Sequence, residues 1–160
     1  MNFWATVRFA ILCAVIFFGL RAVAPTYAIE GESMSPTFHD GGRVILNGAY
    51  RFQTPHRGDI VVFDPPYASS NPYIKRVIAL PGERLSIHDG RVYINDVPLD
   101  ERYLEGVETT CQRAPHCDLV IPDDYVYVLG DNRNNSSDSR YFGPIPTGNI
   151  VGEVLITIWK

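Results

Sequence analysis

Arg84-Leu-Ser-Ile-His-Asp-Gly-Arg-Val-Tyr-Ile-Asn95 is the stretch that decides the fold class. Its two halves alternate apolar and polar residues, as a half-buried strand does. Between them Asp89-Gly90 offers the residue types that tolerate the positive φ of a type I′ turn. The spacing predicts a hairpin, Arg84 to His88 against Arg91 to Asn95. Outward from it the same signal recurs. Arg43 to Leu46 (RVIL), Asp59 to Phe63 (DIVVF), Tyr73 to Leu80 (YIKRVIAL), Tyr125 to Leu129 (YVYVL) and Ile150 to Trp159 (IVGEVLITIW) are strand candidates. No segment beyond residue 30 holds a helical period for about ten residues. Twelve prolines and thirteen glycines also suit many short strands. The expected body is all-β, from about residue 29 to 160. Within it residues 83–124 are more polar, carry two of the three cysteines, and read as a smaller inserted lobe.

Ahead of that body the composition changes. Phe9 to Leu20 (FAILCAVIFFGL) is uncharged and bracketed by Arg8 and Arg21. As a helix this strict run covers about 18 Å, short of a hydrocarbon core of about 30 Å. Extended from Phe3 to Ala24 it spans, with the arginines snorkelling near the ends. A retained anchor, a cleaved secretory signal ending in Ala22-Val23-Ala24, and a buried core helix all fit the segment. The first two place everything after about residue 25 across a membrane.

Cys13 lies in the apolar run, where a thiol behaves as a small hydrophobe. Cys111 and Cys117 enclose Gln-Arg-Ala-Pro-His, a loop that a disulfide closes in an oxidising compartment. A metal would recruit His116, but the sequence holds no second ligand cluster to complete a four-coordinate site. The disulfide is the favoured reading. A net charge of -4 leaves no basic footprint for nucleic acid.

Serine hydrolysis needs a base beside the hydroxyl and donors for the oxyanion. His39, His56, His88 and His116 all lack a recognisable Ser-His-Asp context and read as surface or turn residues. A lysine serves instead when burial lowers its pKa by several units. Lys75 sits mid-run in Tyr73 to Leu80, and alternation puts it with Val77 and Ala79, opposite Arg76, Ile78 and Leu80. A solvated charge on an edge strand is the plain alternative. Ser33 lies in Ile29-Glu-Gly-Glu-Ser-Met-Ser-Pro-Thr37. Pro36 excludes a regular helix there, and Gly31 permits close approach to a substrate strand. It reads equally as a turn serine. Gly130-Asp-Asn-Arg-Asn-Asn-Ser-Ser-Asp-Ser-Arg140 follows an apolar strand and is dense in hydrogen-bonding groups, as a solvated loop also is.

Taken in order, Gly31 to Thr37, Arg57 to Phe63, Lys75 to Glu83 and Gly130 to Arg140 resemble the sequence boxes of bacterial type I signal peptidases. The resemblance covers essentially the whole chain. It implies a mainly β, antiparallel, coiled-sheet catalytic domain with a small inserted lobe, behind one N-terminal transmembrane helix. By that likeness residues 1–28 are a retained anchor in the cytoplasmic membrane, and 29–160 a peptidase domain on its extracytoplasmic side.

The likeness also implies roles. Ser33 would be the nucleophile and Lys75 the general base, with Ser136 hydrogen-bonding the lysine nitrogen. Asp138 and Arg140 would form a supporting ion pair, Gly130 and Asn135 would shape the loop, and Met34 and Pro36 would hold the nucleophile turn. Substrates would be the signal peptides of preproteins, cut after Ala-x-Ala at the bilayer surface, with no metal, organic cofactor or nucleic acid involved. Some branches carry a serine two positions before the nucleophile as an oxyanion donor; here that position is Gly31. A specialised maturation peptidase and a catalytically dead peptide-binding module are the competing readings. A self-cleaving repressor would also need a DNA-binding domain.

Overall fold

The computed structural model describes residues 3–69 and 71–159. One helix, α1 (Phe3–Val23), leads into eleven strands. In chain order these are β1 (Thr26–Ala28), β2 (Arg43–Asn47), β3 (Ile60–Phe63), β4 (Tyr73–Ala79), β5 (Arg84–His88), β6 (Arg91–Ile94), β7 (Val97–Pro98), β8 (Asp118–Val120), β9 (Tyr125–Leu129), β10 (Ile145–Pro146) and β11 (Ile150–Trp159). A short helix, α2 (Ser139–Phe142), lies between β9 and β10.

The strands form a seven-stranded sheet, ordered β1-β2-β11-β3-β4-β9-β10, and a four-stranded sheet, ordered β7-β6-β5-β8. Every pairing is antiparallel. Register shifts interrupt β11 against both β2 and β3, and β4 against β9. Such irregularities bend the strand and increase its twist, which curls the sheet. At the shift between β11 and β3, a Cβ on Gly152 would lie 2.7 Å from the Asn47 carbonyl oxygen of β2, so the crossing needs a glycine.

The core fills the curl. Ile78, Ala79, Tyr127 and Leu129 of the large sheet pack against Leu85, Ile87, Val92 and Ile94 of the small one. A second cluster joins Val61, Phe63, Val77 and Val128 to Ile145 and Ile150. The third, of Ile29, Met34, Phe38, Val44, Leu46, Val62 and Ile74, lies beneath the turn that carries Ser33.

The hairpin forms as its sequence predicts, with φ of 49° at Asp89 and 73° at Gly90. The seven longer strand candidates, the hairpin's two included, all form, with ends moved by a residue at Asp59, Leu80, Asn95 and Asn47. Sequence periodicity did not reveal β1, β7, β8, β10 or α2. Each has only two to four residues, too few to show a period, and is defined by its pairing partner or its cap.

The described side chains of α1 are exposed except Val7, with Phe3, Trp4 and Phe9 each about 70% exposed, so α1 is not a buried core helix. The side chains of Phe18 and of residues 20–23, including Arg21 and the Ala22-Val23 pair, lie outside the described ones. Among the described residues no helix is long and apolar enough to cross a membrane.

Candidate active site

Three segments meet at the site. The first is the turn after β1. Ile29, Met34 and Phe38 point into the core, at 3%, 1% and 9% exposure, and pin the turn from below. Ser35 N–H donates to the Glu32 carbonyl and Phe38 N–H to the Met34 carbonyl, while Gly31, at φ 81°, donates to Asp40 Oδ1 at 2.7 Å. The Ser35–Pro36 peptide is cis and Pro36 is exposed. This arrangement leaves Ser33 half-exposed at the crest.

The second segment is β4. Lys75 is only 3% exposed, and its Nζ donates to Ser33 Oγ at 2.7 Å and to the Ile74 carbonyl at 2.8 Å. The Tyr73 ring lies 5.3 Å from the same nitrogen. Burial lowers the Lys75 pKa to about 8, and the negative charges of Asp138 and Asp131 only partly oppose it. Arg76 turns the other way, as alternation requires. It pairs with both oxygens of Asp131, at 2.9 and 2.6 Å, and lies 4.1 Å over the Tyr103 ring.

The third segment, residues 130–140, holds the other two together. Asn132 N–H donates to the Ser33 carbonyl at 3.0 Å, its side-chain amide donates to the Glu32 carbonyl at 3.0 Å, and Thr37 Oγ1 donates to Asp131 Oδ2 at 2.5 Å. Gly130 sits where no side chain fits: a Cβ would lie 2.4 Å from the Ser33 carbonyl oxygen and 2.2 Å from Ser136 Oγ. Asp138 and Arg140 are fully buried and paired at 2.9 and 2.8 Å, and Asp138 also accepts the Gly130 N–H at 3.1 Å. Asn135 is exposed and only closes the loop, its N–H donating to the Asn132 carbonyl.

One expected contact is missing. The Ser136 hydroxyl is buried but makes no hydrogen bond to Lys75 or to any other described residue. It faces Gly130 instead. Cys111 and Cys117 are bonded, Sγ to Sγ at 2.05 Å, in a loop that touches the same segment through Gln112 Nε2 and the Ser136 carbonyl. None of the four histidines bonds to Ser33. His39 and His56 lie beside Glu32 and Asp59, and His88 stacks on Tyr93.

Several contributing residues had no assigned role in the sequence reading: Arg76, Thr37, Asp131, Asn132 and Arg133. The buried Arg133 guanidinium binds Glu101, Thr109 and Tyr103, tying the loop to the smaller sheet's lobe. Asp131, Asn132 and Arg133 stand inside the quoted Gly130-to-Arg140 box, and that adjacency was the only signal available.

Residues 2–159 match the family model described as signal peptidase, peptidase S26. The chain belongs to that family. It is similar to "Signal peptidase I" of Leptolyngbya laminosa, 42% identical over 157 residues that cover 92% of this chain and 75% of that protein. "Probable signal peptidase I-2" of Synechocystis sp. is 37% identical, covering 99% of this chain and 74% of the relative. A crystal structure of a signal peptidase I from Enterococcus faecalis superposes with a TM-score of 0.53 at 34% identity, over 65% of this chain and 98% of that one. The enzyme class follows from the family: a serine endopeptidase of the signal peptidase I type, which removes signal peptides from preproteins.

Proposed function

We propose that Ser33 and Lys75 form the catalytic dyad and that the chain cuts extended secretory segments after small residues, as in Ala-x-Ala. The observation that carries the reading is the 2.7 Å contact between Lys75 Nζ and Ser33 Oγ, with the lysine buried. Neutral Lys75 takes the Ser33 proton as Oγ attacks the scissile carbonyl carbon. The ammonium then returns that proton to the leaving amine as the C–N bond breaks, leaving an acyl ester on Ser33. Water attacks the ester, Lys75 accepts its proton, and Ser33 Oγ leaves with that proton restored. The Ser33 N–H makes no hydrogen bond among the described residues and is free to donate to the oxyanion. Gly31 adds no side-chain donor. In this reading the unpartnered Ser136 hydroxyl turns toward Lys75 Nζ during the cycle, while Asp138 and Arg140 brace the loop. Met34 and Pro36 hold the nucleophile turn, and Gly130 and Asn135 shape the loop opposite it.

Next to Tyr73 and Ile74, the two residues before Lys75, is a cavity of about 210 Å³, with Tyr27, Ile29, Val44 and Val62 also in its walls. Glu30 and Asn71 add polar groups to its lining, so it offers a mixed site for a substrate side chain. Residues 1–28 act as a single-pass anchor in the cytoplasmic membrane. The exposed apolar side chains of α1 support the assignment, although the described residues by themselves form no helix long and apolar enough to cross a membrane. Residues 29–160, with the lobe at 83–124, then work at the extracytoplasmic surface, where preproteins present their cleavage sites.

Incubating a preprotein with wild type, Ser33→Ala and Lys75→Ala in detergent tests the proposal. Cleavage after Ala-x-Ala by the wild type alone is expected. Binding without turnover by the wild type, or efficient cleavage by Lys75→Ala, overturns it.

A further inference from the structure

Glu30 and Asn71 line the cavity that reaches Ile74 and form its walls from two segments, one after β1 and the other on the approach to β4. Asn71 Nδ2 donates to Glu30 Oε2 at 2.9 Å, so a bond between residues 41 apart in sequence crosses from wall to wall. Ile29 points inward, at 3% exposure, and Glu30 therefore points out along the rim. A neutral amide is the only partner of the Glu30 carboxylate; no arginine, lysine or histidine pairs with it among the described residues. The neighbouring rim carries more negative charge: Glu32 meets His39, at 3.5 Å, and accepts the Asp40 N–H at 3.4 Å, while Asp40 accepts the Gly31 N–H.

An extended peptide alternates its side chains between two directions. Where the small residues of Ala-x-Ala turn into the cavity and toward Ser33, the middle residue turns outward, on the side of Glu30. Entry between the two walls displaces the Asn71–Glu30 bond and leaves a free carboxylate facing that residue. We propose that Glu30 is a specificity-determining residue that selects lysine or arginine over aspartate or glutamate at the position between the two small residues. Asn71 holds the carboxylate across the mouth until a peptide arrives. The inference rests on the substrate cleft proposed above.

The test uses the full chain in detergent and three peptides with Lys, Gln or Glu as the middle residue of Ala-x-Ala. An exposed charge contact has a small effect, so kcat/KM for the Lys peptide should exceed that for the Glu peptide about fivefold. The ratio should shrink as salt is raised to about 1 M, where charges a few ångströms apart are screened. Glu30→Gln should bring the ratio to within about twofold of unity, and Glu30→Asp should keep a preference for Lys, which a purely structural role for Glu30 would not produce. A wild-type ratio near one, or a ratio that Glu30→Gln leaves unchanged, overturns the inference while the proposed function stands. If the wild type fails to cut even the Gln peptide, the proposed function itself falls, and the inference with it.

Discussion

Lys75 and Arg76 are neighbours on β4, and the two faces of that strand treat them in opposite ways. On one face Lys75 meets a hydroxyl, a carbonyl and an aromatic ring but no carboxylate, so desolvation dominates and its pKa falls to about 8. On the other face Arg76 is also partly buried, but the two oxygens of Asp131 hold it charged. The difference teaches that burial without a bonded carboxylate makes a base of the lysine, while the arginine beside it stays a structural cation. A guanidinium keeps its charge in either setting; an amine does not.

The sharpest way to break this contrast is to exchange the chemistry at Lys75. Lys75→Arg and Lys75→Ala should each lower kcat by about 10³-fold or more, measured by preprotein cleavage, because neither side chain can act as a base. Next comes the buried pair. Asp138→Asn leaves Arg140 buried and unpaired, and should cost about 3–5 kcal/mol in urea unfolding as well as most of the activity. Gly130→Ala should follow, with kcat down about 10–100-fold, since its methyl group would press on the Ser33 carbonyl and shift the nucleophile by a fraction of an ångström.

The pH dependence sharpens the same comparison. Lys75 must be neutral to act, so kcat/KM should rise with pH and level off above about 8. Asp131 helps to hold that pKa up, so Asp131→Asn should move the limb to lower pH. Stability has the same sign. Between about pH 8 and the ordinary lysine value the unfolded chain binds a proton that the folded chain has lost, so unfolding becomes harder as pH rises. Arg76 adds nothing in this window. The smallest effect is expected at His39, where an Ala substitution should leave kcat/KM within about twofold, as surface changes do.

Much of this was legible in the chain itself. The hairpin at 84–95 and the longer strands follow from alternation, and so do the opposite sides of Lys75 and Arg76. Past Val77 a register shift against β9 breaks the period, so Ala79 packs with Ile78 and Leu80 with Val77, against the expected faces. Short elements were not legible, because β1, β7, β8 and β10 have too few residues to show a period and take their shape from a neighbour. Within the site, the meeting of Ser33 with Lys75 came from resemblance and not from spacing, since the residues lie 42 apart and only the folded sheet joins them. The role of Asp131 was hidden for the same reason: its partners Thr37 and Arg76 come from two other segments. The unpaired hydroxyl of Ser136 was unreadable altogether.

The segment from Gly130 to Arg140 works as an interlock. Its Asn132 grips the backbone of the nucleophile turn, while the next residue, Arg133, is bolted into the lobe by Glu101 and Thr109. Two adjacent residues thus tie the lobe and the nucleophile into one rigid piece, so a strain applied at Glu101 is carried by a single peptide unit to the turn that holds Ser33.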